Sequence, residues 1–482
     1  MFTSTHPFLF FDVMRVPYVV EATPDAERAP VGRIRRADPA HGAVPGAELL
    51  WVRTAKRTAV RRHRGRFRLA GYEVAGLVED VRPEDLGLGD HRSWTVREPV
   101  LAPDGSQVGA VWTSKTGAVL LPFDPGAVIT GLWSEEYTNL GALASVRKRA
   151  RTAAINGYYG LRPVIPRAAQ LRMRRILAQS SGPRDYPAWP VEHGLHDLYD
   201  WLLRLAAGVA GTAVPWLVSM SCVRTIAHSL PSGQGCSQGC LDMELLRGPE
   251  REHGYRSSWN FVPARYEVDP GLVARVAADD CEVGVHGLRH DGKDLRSRRM
   301  LARRIPAMKE SARRWGAVGF RSPATQRRWD LMPQLPFAYD SSYTDTEPYE
   351  PQPGGCCTYW PFFNDDLVEL PITLPQDHTL FEILGQRDAM IWIEKGRELR
   401  RRNGMLLALS HPDYAHGCAA EAWQALLDEF ADDGAKWQAL PREVAAWWRA
   451  RSASQPQLCD GTWQVRGPAA GRARVCLTHR DS

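Results

Sequence analysis

The strongest chemical signal in the sequence is the run Val283-Gly284-Val285-His286-Gly287-Leu288-Arg289-His290-Asp291. A short strand delivers His286 to its carboxyl end, and His290 follows one turn later. Two imidazoles four residues apart can share one face, and two neutral imidazoles are a platform for a divalent metal. A pair of polar loop histidines meets the same spacing, so position has to decide. In α/β folds and barrels, chemistry gathers at the carboxyl ends of strands. Two further apolar runs end in the same way. Gly319-Phe320-Arg321-Ser322-Pro323 places Arg321 after one of them, and Leu406-Leu407-Ala408-Leu409-Ser410-His411-Pro412 places His411 after the other. A surface ion pair would also account for Arg321, and a capped strand end for His411.

The elements that must carry these residues alternate. Helices are expected at Leu195 to Val209, up to Ala278, at Asp294 to Trp315, Trp392 to Arg402 and Ala419 to Asp432. Short strands are expected at Cys281 to Val285, Ala317 to Phe320, Leu367 to Leu370 and Leu406 to Leu409. Alternation at this spacing implies a parallel sheet or a barrel.

Five blocks, Arg256 to Pro263, Glu282 to Asp291, Phe320 to Pro323, Tyr339-Asp340-Ser341-Ser342-Tyr343 and Leu409 to Tyr414, resemble in order and spacing the polysaccharide deacetylase family. This is carbohydrate esterase family four, the NodB homology domain, and the resemblance covers roughly residues 195–451. It implies an α/β fold, a distorted (β/α) barrel. It also implies a divalent metal, usually zinc, held by one aspartate and two histidines. In the family the metal polarises an N- or O-acetyl carbonyl and activates water. By motif, His286 and His290 match the histidine ligands. Arg321 matches the arginine that orients the catalytic carboxylate, and His411 the histidine that protonates the leaving group. Asp340 and Tyr343 fall in the block that shapes the substrate side. The implied partner is an acetylated carbohydrate or a small amide. Tyr339, Tyr343, Tyr349, Tyr359 and Trp360 could form a wall that stacks on sugar, or equally could be core.

One motif is missing. The family's aspartate-bearing strand end should precede Arg256 by some thirty residues, yet residues 218–236 contain no Asp or Glu. Their Ser, Cys, Gly and Gln do not read as a buried strand, and His228 reads as a loop residue. The carboxylate is both ligand and general base, so its loss predicts weak metal binding and impaired turnover. The alternative is a non-catalytic protein that binds a glycan or a protein through the same cleft.

Before residue 140 the pattern is β-rich. Phe67 to Val78 breaks at Gly71, and Pro99 to Leu101 with Val108 to Trp112 flanks Asp104-Gly105 as a hairpin. Asp124 to Tyr137 reads as a helix. The expected order is an N-terminal module over 1–140, a basic, Pro-punctuated connector over 141–190, the barrel over 191–455 and a tail over 456–482. The tail is expected to hold a loose hairpin over Gly461 to Val475. The arginines between Arg53 and Arg68 read as a solvated loop. The connector helix at Arg167 to Gln179 reads as a packed linker rather than a membrane-surface helix. Hydrophobic residues make up 44% and charged residues 24% of the 482, an ordinary globular balance. A net charge of +6 over that length predicts no nucleic-acid partner. Arginine far outnumbers lysine, as in GC-rich bacterial genomes. Nine cysteines without a C-x-x-C pair point to free thiols. No apolar run is long enough for a membrane span, and the N-terminus does not read as a signal peptide, so a cytoplasmic protein is expected.

Overall fold

The computed structural model describes residues 8–18, 31–38, 42–52, 60–88, 91–139, 166–181, 186–219, 223–230, 237–350, 352–431 and 437–479. Two compact units emerge. One gathers residues 2–145, 193–218 and 450–482, and the other gathers residues 146–192 and 219–449 with Met1. Among the described residues, no helix is long and apolar enough to cross a membrane.

The first unit is built on a seven-stranded sheet. Its strands are β1 (Val31–Asp38), β2 (Gly42–Val52), β3 (Arg62–Leu69), β4 (Tyr72–Glu79), β5 (Trp94–Leu101), β6 (Gln107–Ser114) and β7 (Val119–Leu121), in the order β1-β2-β7-β6-β5-β3-β4. The hairpin expected around Asp104-Gly105 is β5–β6, and Ala70 and Gly71 take the positive φ that turns β3 into β4. Arg62 to Arg68 is strand rather than loop. Arg62 pairs with Glu79 at 3.1 Å, and Arg66 and Arg68 both pair with Glu73, so the hairpin offsets part of its own charge. Residues 53–59 lie outside the described set. The helix Gly194–Ala210 and strand β8 (Val214–Ser219), expected at the start of the barrel, group with this unit. The tail differs from the expected hairpin. Gln455–Cys459 pairs with Thr462–Arg466, while Ala473–Thr478 pairs with β8.

The second unit is the distorted (β/α) barrel that the family resemblance implies, one of the two forms the alternation allows. Its strands are β9 (Val223–Leu230), β10 (Ser257–Phe261), β11 (Glu282–His286), β12 (Gly319–Arg321), β13 (Tyr339–Asp340), β14 (Phe362–Asn364), β15 (Leu367–Glu369), β16 (Leu406–Ser410) and β17 (Trp437–Gln438). The order is β14-β15-β13-β12-β11-β10-β9-β16, with β17 also on β9 and only β14 antiparallel. Past β15 the chain closes the ring. The Thr373 and Leu374 amides donate to Leu407 O, and Leu407 N donates to Thr373 Oγ1 at 2.8 Å.

Alternation along the strands splits the core in two. Ile226, Leu230, Trp259, Phe261 and Val283 pack outward against helix residues such as Trp392, Trp423 and Leu426. Tyr339, Val368, Leu370, Leu407 and Leu409 pack with Val444 and Trp448. Within the stretch judged unlike a buried strand, Val223–Leu230 is β9 with all eight residues buried, while its Cys, Gly and Gln lie outside the described residues. The polar side chains of β9 are handled individually. Arg224 donates to Tyr255 Oη, and His228 sits 2.7 Å from Glu250 under the Trp259 ring. His228 is therefore a core residue, not a loop residue. The connector helix spans Arg167–Ser181 and joins this unit, with Arg174 bonded to Glu350 and His378. Its partner at Val146 to Ala153 lies outside the described residues.

Candidate functional site

His286 is the last residue of β11, a strand buried throughout. Its Nδ1 lies 3.2 Å from the Arg321 carbonyl oxygen. A carbonyl only accepts, so Nδ1 carries the proton and Nε2 keeps its lone pair. The turn that follows needs glycine. Gly287 has φ +62°, and a Cβ there would strike the Asp294 carboxylate and the Pro323 ring. Asp294 also accepts from Leu288 N at 3.2 Å, and Arg304 clamps Asp294 and Asp291 at 2.6 and 2.7 Å. This fixed loop brings the His290 ring to 5.0 Å from His286, at 60°. Burial pushes the His286 pKa well below its ordinary value, and the charges of His290, Arg321 and His411 push it further. His286 is neutral at neutral pH.

Arg321 ends β12 in register with His286 and is 1% exposed. Its Nε donates to Ser341 O and its Nη2 to Ser341 Oγ, each at 2.8 Å, while Nη1 has no hydrogen-bond partner among the described residues. Burial lowers its pKa to about 10, so it stays charged at neutral pH. Asp340 accepts from Ser342 N at 2.8 Å and Ser342 Oγ at 2.6 Å. Glu369 lies beside it on β15. Burial, then the charge of Asp340, raises the Glu369 pKa well above its ordinary value. Tyr343 packs edge-on against Phe362, with the Arg327 guanidinium 5.8 Å over its ring. Asp340 and Tyr343 are thus enclosed, at 0% and 1% exposure. Tyr339 and Tyr359 are buried as well, and only Tyr349 and Trp360 of the expected aromatic wall keep partial exposure.

His411 follows β16 and meets a residue that the sequence reading missed. Asp377 accepts from His411 Nδ1 at 2.7 Å, from His411 N at 2.6 Å and from Ser410 Oγ at 3.1 Å. Tyr414 stands at the open side of the ring, 5.6 Å away. The only trace of Asp377 in the sequence was an acid placed between prolines and a histidine, Pro375-Gln376-Asp377-His378.

His286, His290, Arg321 and His411 are therefore brought together, since each of the other three acts electrostatically on His286. On β9 the last inward position described is Ser229. It is wholly buried, in register with Asn260 and through it with Gly284, and its hydroxyl has no hydrogen-bond partner among the described residues. A catalytic zinc takes three protein donors and keeps one position open. His286 and His290 supply two nitrogens, and no third His, Cys, Asp or Glu joins them among the described residues. Asp340 accepts two hydrogen bonds and Asp377 three from the donors named above. The described residues do not fit a complete catalytic zinc centre.

No protein-family model matches the chain, and no curated protein matches it. Solved structures do resemble it. A protein described as a polysaccharide deacetylase from Mycobacterium smegmatis is 18% identical, with 50% of this chain and 95% of that chain covered, at a TM-score of 0.39. One from Pseudomonas aeruginosa PAO1 is 15% identical, covering 48% and 92%, at 0.38. Peptidoglycan deacetylase PdaC from Bacillus subtilis is 12% identical, covering 49% and 96%, at 0.33. The chain is similar, over about half its length and at low identity, to solved polysaccharide deacetylases.

Proposed function

We propose that the barrel is a hydrolase of the polysaccharide deacetylase type, with impaired turnover, acting on acetyl groups of a carbohydrate or a related small amide. The observation that supports it most is the convergence of His286, Arg321 and His411 at the carboxyl ends of three strands of one barrel, with His411 backed by Asp377. In this reading His411 gives a proton to the departing amine or alcohol. Arg321 supplies positive charge to the oxygen that becomes negative. His286 and His290 hold a divalent metal, zinc by its preference for imidazole, weakly and below one equivalent. A bound metal would supply Lewis-acid polarisation of the acetyl carbonyl. The chain acts in the cytoplasm, on a precursor rather than a finished polymer.

Turnover is impaired because no described carboxylate joins His286 and His290 to serve as base. A second reading draws on the same gap: a non-catalytic barrel that binds a glycan or a protein in this cleft. The test is acetate release from acetylated chito- and xylo-oligosaccharides with added zinc or cobalt. The unmodified chain should stay near background. Ser229→Asp, which sets a carboxylate on the inward face of β9, should raise release by roughly 10²–10⁴-fold, the usual scale of general-base help. Retained glycan binding with no release from either protein would favour the second reading.

A further inference from the structure

The groups that face one another at the strand ends suit a different ligand from a cation. Asp377 spends one oxygen on His411 Nδ1 and the other on His411 N and Ser410 Oγ. Asp340 accepts a hydrogen bond from Ser342 on each oxygen, and burial raises the pKa of Glu369 beside it. Neither acid joins His286 and His290 in a metal-holding group among the described residues. The unfilled capacity lies with donors. Arg321 keeps an N–H on Nη1 with no partner although the residue is 1% exposed. Ser229 keeps a hydroxyl with no partner at 0% exposure. A buried guanidinium with an open N–H is costly unless something accepts from it, and the planar fork matches an oxoanion best.

The strands place these groups on one face. Ser229, Asn260 and Gly284 are in register across β9, β10 and β11, and His286 and Arg321 pair two residues further along β11 and β12. Asn260 fills the space over Gly284, where any Cβ would collide with its amide, and its Nδ2 donates to His228 O at 2.8 Å. Asn260 is therefore floor rather than ligand donor. We propose that this cleft is a receptor for a small oxoanion, a carboxylate or a phosphate, held by Arg321 Nη1 and Ser229 Oγ beside His286. The inference rests on the reading of these strand ends as the ligand site, though not on a metal. His286 Nε2 separates the two anions. Inorganic phosphate at neutral pH still carries a P–O–H that can donate to that lone pair, whereas acetate has no such proton.

The experiment is calorimetric titration of the full chain with sodium phosphate, sodium acetate and zinc chloride at constant ionic strength. Phosphate should bind saturably and more tightly than acetate. Arg321→Gln should weaken phosphate by roughly tenfold or more, the scale of one charge-assisted hydrogen bond. Ser229→Ala should weaken it by a smaller factor, and this variant carries the test if Arg321→Gln fails to fold. Ser229→Asp should abolish phosphate binding. Absence of saturable phosphate binding overturns the proposal, as does binding unchanged in Ser229→Ala. If phosphate fails to bind while Ser229→Asp still gains acetate release, this inference alone is overturned. If both fail, the proposed function falls with it.

Discussion

Asp377 holds His411 through both carboxylate oxygens, Oδ1 on the ring nitrogen at 2.7 Å and Oδ2 on the backbone amide at 2.6 Å. The ring is fixed by an acid that lies 34 residues away, where the chain turns to close the barrel. Because a carboxylate only accepts, Nδ1 carries a proton, and Nε2 is the nitrogen left to exchange a proton with a substrate, as a donor only in the imidazolium form. Asp377→Ala strands the His411 amide, its Nδ1 and the Ser410 hydroxyl. The variant should lose about 1–3 kcal/mol of stability, the cost of leaving buried donors unpaired. Urea unfolding measures this, and an unchanged midpoint would contradict the arrangement.

Three buried carboxyls make the barrel sensitive to alkali. Burial raises Glu282 to about 7, Asp345 to about 6 despite Lys395, and Glu347 to about 8. In each case the folded chain keeps a proton that the unfolded chain releases at lower pH. Stability is thus fully present near pH 4 and falls as pH rises towards about 8. Thermal midpoints should drop between those limits, and Glu347→Gln should flatten the slope. A midpoint that climbs with pH would contradict these assignments.

Gly319 sits under the Tyr339 ring, and Tyr339 cannot yield because its hydroxyl donates to Glu282 at 2.8 Å. Gly319→Ala should destabilise by about 1–3 kcal/mol through overpacking. Its neighbour Gly316 closes a helix at φ +65° and meets nothing. Gly316→Ala should therefore cost only the strain of positive φ. Chemical denaturation of the two variants compares them directly, and equal losses would argue against the Tyr339 contact.

The sequence made the barrel legible where composition and position agreed. Val283 to His286, Gly319 to Arg321 and Leu406 to Ser410 are short apolar runs that end in or just before a candidate site residue, and all three are strands of one sheet. Val223 to Leu230 misled because Arg224, Thr225, His228 and Ser229 look like loop. Burial there is satisfied by partners far away in sequence, such as Glu250 for His228, which no local pattern reports. Asp377 and the Asp340–Glu369 pair escaped for the same reason. Asp340 and Tyr343 were legible as a block, but their enclosure depends on how β13 and β15 pair. The tail pairing failed because β8 takes its partner from Ala473–Thr478, across more than half the chain.

The central claim is that, among the described residues, the strand-end site offers two imidazoles with no carboxylate joined to them. Zinc bound per chain, after dialysis of the unmodified protein against micromolar zinc, tests it most directly. The account predicts well below one equivalent, rising towards one in Ser229→Asp. One full equivalent on the unmodified chain, lost in His286→Ala, would show that another acid completes the site and would contradict the account.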